Sequence, residues 1–318
     1  MPDSLPHQGE AAPHQGEAAE ETAEPPQSAP PQSAKAPDPA TRRLIDTDRY
    51  AIDAPESRAG TSLVEEARRA LEEEGCVVLR DFVRPEALAR MTAEGRARAG
   101  RAHYNRTRTN PYSSDDDPSL PADHPARTFL ERTNGFVAGD LLEPETEIRR
   151  LYHDPALRQF IARCMGVETL YEYADPLAGL VINVLKPGCQ HPWHFDNNDF
   201  IVTLLTQKAD GGGAFEYCPN LREPDDQNIP GVKAVLGGTR APVKRLDLQA
   251  GDLQIFYGRN SLHRVTRIEG ARERHTVILG YAEEPGQIAG AARTKRLFGR
   301  VSDAHLEADA RGRTRDAA

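Results

Sequence analysis

The sequence predicts a mainly β domain with flanking helices, an α+β arrangement whose strands close into a sandwich or barrel. Two observations predict it. Beyond Leu170, short apolar or alternating runs recur at regular intervals: Leu180–Leu185, Phe200–Leu205, Phe215–Tyr217, Arg245–Leu248, Leu253–Tyr257, His263–Ile268 and Thr276–Tyr281. Gly, Pro, Asn or Asp punctuates most of the gaps, the pattern of many short strands joined by turns. Before Leu170 the apolar spacing is instead helical.

Each element follows in chain order. Residues 1–40 are low-complexity: Pro-His-Gln-Gly-Glu-Ala-Ala at 6–12 repeats at 13–19, and Pro-Pro-Gln-Ser-Ala at 25–29 repeats at 30–34. With so little apolar bulk to offset ordering entropy, residues 1–43 are expected to be a disordered tail. The tail carries seven acids against Lys35, so −6 of the chain's net −9 lies there. A helix is expected from Ser62 to Gly75, with Ser62 and Glu65 in a capping-box pattern. Cys76–Leu79 reads as a buried strand. A second helix runs from Pro85 to about Gly95, Pro85 being tolerated in the first turn. Residues 101–127 read as a long irregular loop, and a third helix spans Pro155 to Met165, stopped by Gly166. Pro219–Val243 is a polar excursion expected to cover one mouth of the barrel. The domain is expected to span 44–305, and residues 306–318 to fray.

No stretch approaches the roughly 20 apolar residues of a membrane span, and the N-terminus lacks the regions of a signal peptide. A soluble, cytoplasmic protein is the expectation, with no membrane partner. No basic stripe with interleaved aromatics suggests nucleic acid. Cys76, Cys164, Cys189 and Cys218 show no paired spacing and read as buried thiols.

The chemistry concentrates in His191-Pro-Trp-His-Phe-Asp196 and in His263. In an extended strand residues i and i+2 share a face, so His194 and Asp196 would point into one pocket. Two imidazoles and one carboxylate leave three positions of a metal open, the donor set of Fe(II) oxygenases. Arg274 follows eleven residues after His263, and Thr276 would share its face. Arginine grips a carboxylate with a planar fork, so this pair could hold the far carboxylate of 2-oxoglutarate.

His194-Phe-Asp196, His263 and Arg274-His-Thr276 together resemble the Fe(II)/2-oxoglutarate-dependent oxygenases, over residues 60–300. That resemblance implies a double-stranded β-helix, a jelly roll of the cupin type. It implies Fe(II), 2-oxoglutarate as co-substrate and O2, with succinate and carbon dioxide released. Glu131-Arg-Thr-Asn-Gly135, Glu216-Tyr-Cys-Pro-Asn220, Gly251-Asp-Leu-Gln-Ile255 and Arg296-Leu-Phe-Gly299 look like the branch of free-amino-acid halogenases of the lysine-chlorinating type and their hydroxylase relatives. The halogenases carry a small residue where this chain has Asp196. Hydroxylation, or desaturation or cyclisation, is therefore expected in place of halogenation. By analogy Arg132 is the candidate for the substrate carboxylate. Asn183 is a candidate for assisting 2-oxoglutarate, and His191, Asn197 and Trp193 for contacting substrate. Leu177 and Ile278, near positions that hold the side-chain amine in lysine-acting relatives, favour an aliphatic amino acid.

Two other readings stay open on residues alone. A cupin with this ligand set could hold zinc and act as a hydrolase or isomerase, though such an enzyme has no need of Arg274. A catalytically dead cupin could serve as a binding module, though degeneration usually removes a ligand. Within the oxygenase reading the partner is a small molecule, expected to be a free amino acid, with a carrier-bound or peptide substrate as the alternative. A homodimer is compatible with the sequence.

Overall fold

The computed structural model describes residues 38–312 and 314. The tail expected over 1–43 lies outside the described residues up to 37. Order begins earlier than expected: Pro39–Leu44 is a helix capped by the Asp38 side chain, with Thr41 and Leu44 buried.

Strand pairing follows the residues that alternate. Seven antiparallel strands form the major sheet in the order Cys76–Leu79, Leu253–Phe256, Ile201–Gln207, Arg274–Leu279, Leu180–Leu185, Gly135–Val137 and His103–Tyr104. Four form the minor sheet in the order Lys244–Leu246, Phe215–Cys218, Leu262–Val265 and His191–His194. Alternate side chains point to opposite faces of a strand. One face of the major sheet presents Ile182, Val184, Val202, Leu204, Ile255, Val277 and Leu279 to Leu71, Met91, Leu151, Leu157 and Ile161 of the helices. The opposite face presents Leu185, Leu205 and Phe256 to Phe215, Tyr217 and Val265 of the minor sheet. This is a jelly roll: two sheets enclose an interior and helices cover one outer face. The double-stranded β-helix expected from the resemblance is observed.

Several local expectations are corrected. The first long helix is Arg58–Glu74, capped by Ser57 and not by Ser62, whose hydroxyl instead bonds Glu66 one turn on. Gly75 ends it in the left-handed conformation. The second helix continues past Gly95 to Ala99. Residues 101–127 are not wholly irregular: Thr107–Thr109 pairs with Leu130–Arg132. The excursion at 219–243 contains a helix, Ile229–Leu236, whose Val232 and Val235 pack with Trp193, Phe195 and Leu262. It therefore covers the outside of the minor sheet. The chain does not fray at Leu306 either, because Asp303–Ala310 is a helix anchored by His305. His305 Nε2 lies 3.0 Å from Asp175 Oδ2, and both are fully buried. All four cysteines are buried and free. No helix among the described residues is long and apolar enough to cross a membrane.

Candidate metal centre and co-substrate site

The minor sheet places His194 directly opposite His263, and Tyr217 opposite His263 on the other side. The strand carrying His194 ends there, so Asp196 sits in the loop beyond it and not on a continued strand. Three contacts aim that loop. Asp196 N–H donates to Gly258 O (3.0 Å), and Phe195 N–H donates to Pro111 O (2.8 Å). The Phe195 ring stacks on Tyr112, and the Arg222 guanidinium carbon lies 4.0 Å from the Phe195 ring centroid. With Phe195 held outward, Asp196 turns inward. His194 Nε2 lies 3.6 Å from Asp196 Oδ1, and His263 Nε2 lies 3.4 Å from Asp196 Oδ2. The three ligand atoms all fall within 4.8 Å of one another. Neighbouring ligands of a metal bonded at about 2.1 Å stand roughly 3 Å apart, so small adjustments would close the set.

The donor chemistry fits a divalent metal. His194 Nδ1 is 2.8 Å from Pro192 O, and His263 Nδ1 is 3.0 Å from Ser261 O. Nδ1 must donate to these carbonyls, which leaves each Nε2 lone pair facing the cluster. Asp196 Oδ2 is buried without a hydrogen-bond partner. A buried carboxylate oxygen left unpaired is costly, and a cation would satisfy it. The charges agree: burial holds His263 down at about 4, and the two histidines hold Asp196 down at about 2 against the opposing effect of its own burial. Gly258 supplies the room, because a Cβ there would stand 1.9 Å from Asp196 Oδ2. Gly258→Ala will therefore displace the carboxylate and weaken metal binding by roughly the 10–100-fold typical of lost ligand support. Titration of the chelated protein with Mn(II) checks this; unchanged affinity would show that the loop relaxes freely.

Burial also lowers His191 and His275, the latter against its partner Glu273. The metal-free native state thus binds fewer protons than the unfolded chain from about pH 6.5 down to about 4. Its stability will fall as pH drops through that window, by up to about 1.4 kcal/mol per unit for each histidine kept neutral. Melting of chelator-treated protein at pH 7 and pH 5 tests this, and His263→Gln should flatten the dependence. Equal melting temperatures at both pH values would refute it.

Arg274 and Thr276 do share a face, and the guanidinium donates to the Thr276 hydroxyl. Among the described residues Arg274 has no acidic partner, although only 4% of it is exposed. Burial alone lowers it to about 10. It borders a pocket with Leu205, Phe215 and Leu248. Asn183 lies opposite Thr276 in the register and is buried. Its Oδ1 accepts from Asn134 Nδ2 at 3.3 Å, and Asn134 Oδ1 accepts from Arg132 Nε at 2.8 Å. One chain of hydrogen bonds thus joins Arg132 to the strand that faces Thr276.

His191 stacks on His194 with ring centroids 3.8 Å apart. Asn197 continues the loop after Asp196, its carbonyl accepting from Arg259. Trp193 does not join the cluster. It is buried on the opposite face of the strand beneath Arg264 at 4.6 Å, in the core under the 229–236 helix. Asn134, Gly258 and the carbonyls of Pro192 and Ser261 are contributors the sequence reading passed over. Asn134 lay within the quoted Glu131–Gly135 motif, and nothing in the pattern marked the others.

The family model described as Halogenase D matches residues 127–294. Curated proteins give no significant match by sequence. Among solved structures the chain is similar to AviO1 from Streptomyces viridochromogenes Tue57, with 18% identity over 70% of this chain and 95% of that one, TM-score 0.49. It is also similar to a Pseudomonas putida prolyl-4-hydroxylase, with 15% identity over 68% of this chain and 96% of that one, TM-score 0.43. A third is the epimerase SnoN from nogalamycin biosynthesis, with 13% identity over 70% and 83%, TM-score 0.49.

Proposed function

The chain belongs to the Halogenase D family, and from that premise we propose that it is an Fe(II)/2-oxoglutarate-dependent dioxygenase hydroxylating an unactivated C–H of a small amino-acid-like substrate. One observation carries the reading. A complete His194–Asp196–His263 set stands in the same interior as a buried arginine with no acidic partner among the described residues.

Iron with 2-oxoglutarate and dioxygen supplies the oxidising power, the co-substrate leaving as succinate and carbon dioxide. The protein's own residues do the rest. His194, His263 and Asp196 would hold the metal and leave positions free for the co-substrate and dioxygen. Arg274 and Thr276 take the far carboxylate of the co-substrate, whose charge replaces the counter-ion the guanidinium lacks. Asn183 offers its amide to the same ligand. Phe215, Phe256, Leu185 and Leu205 keep that interior dry, which strengthens each of these charge interactions. Asp196 decides the outcome: with a carboxylate in the third ligand position, halide has no place to bind, which favours hydroxylation over halogenation. Arg132 holds the substrate carboxylate. Leu177 and Ile278 lie together in an apolar cluster with Val181, which favours an aliphatic side chain over a basic one.

Succinate release tests the proposal, measured on anaerobically iron-loaded protein given 2-oxoglutarate, air and the standard amino acids singly. Stimulation by one amino acid, abolished by His194→Ala, with a product one oxygen heavier, is the expected result. A product lighter by two hydrogens would instead indicate desaturation or cyclisation. Absence of 2-oxoglutarate binding to the metal-loaded protein would sink the reading and favour the zinc alternative.

A further inference from the structure

We propose that Arg293, on the helix Ala291–Phe298, is a second anchor for the substrate, and that it and Arg132 together bridge one anionic head group above the metal centre. The inference rests on the function proposed above and deepens it: the substrate is a small acid, recognised by two guanidinium groups, with an apolar body.

The placement comes from packing. The Phe136 ring receives Arg132 on one side, with the guanidinium carbon 5.6 Å from its centroid. The same ring meets Phe298 of the helix at 6.1 Å. Phe298 and Leu297 belong to the apolar cluster of Ala138, Leu177, Val181 and Ile278. Residues four apart on a helix lie on one face, so Arg293 stands on the face of Leu297, turned toward that cluster. Asn105 Nδ2 holds the same end of the helix by donating to Arg296 O at 2.8 Å. The electrostatics give the same neighbourhood independently. Arg293 and Arg296 both push against the charge of Arg132, after the larger effect of burial. The cluster itself belongs to the interior of the metal site: Val181 and Ile278 pair with each other two residues along from the Asn183–Thr276 pair, so all four side chains share that face of the sheet.

The chemistry of the grouping calls for an anion. Neither Arg132 nor Arg293 has an acidic partner among the described residues; every guanidinium that does form an ion pair belongs to another residue. Glu131, next to Arg132 in the chain, lies 3.6 Å from Arg267, and the Asp196 carboxylate faces His194 and His263. Like charges brought together without a counter-ion are unfavourable, so the arrangement is stable chiefly with a ligand present. Arg132 is prepared for one. Its Nε is held by Asn134, which fixes the plane of the guanidinium and leaves both terminal nitrogens to donate. A carboxylate or a phosphate monoester can accept from two such forks at once. Leu177, Val181 and Ile278 then receive the apolar remainder. Both carboxylates and phosphates meet this description, and affinity separates them.

The test uses protein loaded with Mn(II) and saturating 2-oxoglutarate, whose binding is measured first by calorimetry. That first titration reports on the proposed function alone. Leucine, 3-methylbutyl phosphate and 3-methylbutanol are then titrated as probes. At least one acid should bind while the alcohol does not, and Arg293→Gln should weaken that binding at least tenfold with 2-oxoglutarate affinity unchanged. Tighter binding of the phosphate would assign a phosphorylated substrate, and tighter binding of leucine an amino acid. Equal affinity of wild type and Arg293→Gln, equal binding of the alcohol, or no binding of either acid would overturn the proposal. Arg293→Lys keeps the charge but loses the fork, and should recover only part of the affinity.

Discussion

Arg274→Met will make the metal-free protein melt at a higher temperature while weakening 2-oxoglutarate binding by about 30-fold to several thousand-fold. Both effects come from one uncompensated charge. Burial lowers Arg274 to about 10 with no acid to offset it, a displacement that corresponds to roughly 3 kcal/mol against the native state. Replacing a buried charge by an apolar side chain of similar volume removes that penalty. The loss is one hydrogen bond to Thr276, about 1 kcal/mol. The ligand-bound state reverses the balance. With the proposed carboxylate bound, the guanidinium would be paired in a dry site, and removing one partner of such a pair costs about 2–5 kcal/mol or more, which sets the fold-change. Calorimetry of 2-oxoglutarate on Mn(II)-loaded protein measures the second effect, and thermal melting of chelated protein the first. Unchanged co-substrate affinity would remove Arg274 from the site. A lower melting temperature would show that its charge is compensated in a way the buried geometry does not reveal.

The clustering of His194, Asp196 and His263, and the face that Arg274 shares with Thr276, were legible in the sequence because such residues are rare in that spacing and the spacing constrains the geometry. A period of two puts Arg274 and Thr276 on one face whatever else the sheet does. The same rule, applied one residue earlier, excludes Trp193: it directly precedes His194 in a strand and so faces the outer core. Arrangements that depend on register were not legible. Asn134 reaches Asn183 only because Phe136 lies opposite Asn183 in the sheet. Gly258 matters only because its Cα passes beside the Asp196 carboxylate. The C-terminal helix misled for a related reason. Its composition is polar, yet His305 reaches an aspartate 130 residues away, and that buried contact holds the helix. Helix starts depended on which of several serines caps, and Ser57 prevails over Ser62 because it lies before the first turn and not within it.

Asp196→Gly will convert a metal site that ignores halide into one that depends on it. In the native protein Asp196 supplies a negative charge beside the two imidazoles. Removing it would leave the metal short of a ligand. Metal affinity should fall by more than the roughly 10–100-fold that loss of an outer-shell partner costs. Chloride can then restore part of it by taking the vacated position, where Gly258 places no Cβ. The expected result is Mn(II) affinity that rises with chloride concentration in Asp196→Gly and is flat in the native protein. Hydroxylated product should fall with it, by at least about the same factor. Metal affinity indifferent to chloride in the variant would mean that the carboxylate is not what excludes halide, and that the pocket around it does so by shape. The distinction bears on the whole site, since in the first case one side chain separates this arrangement from a halide-binding one.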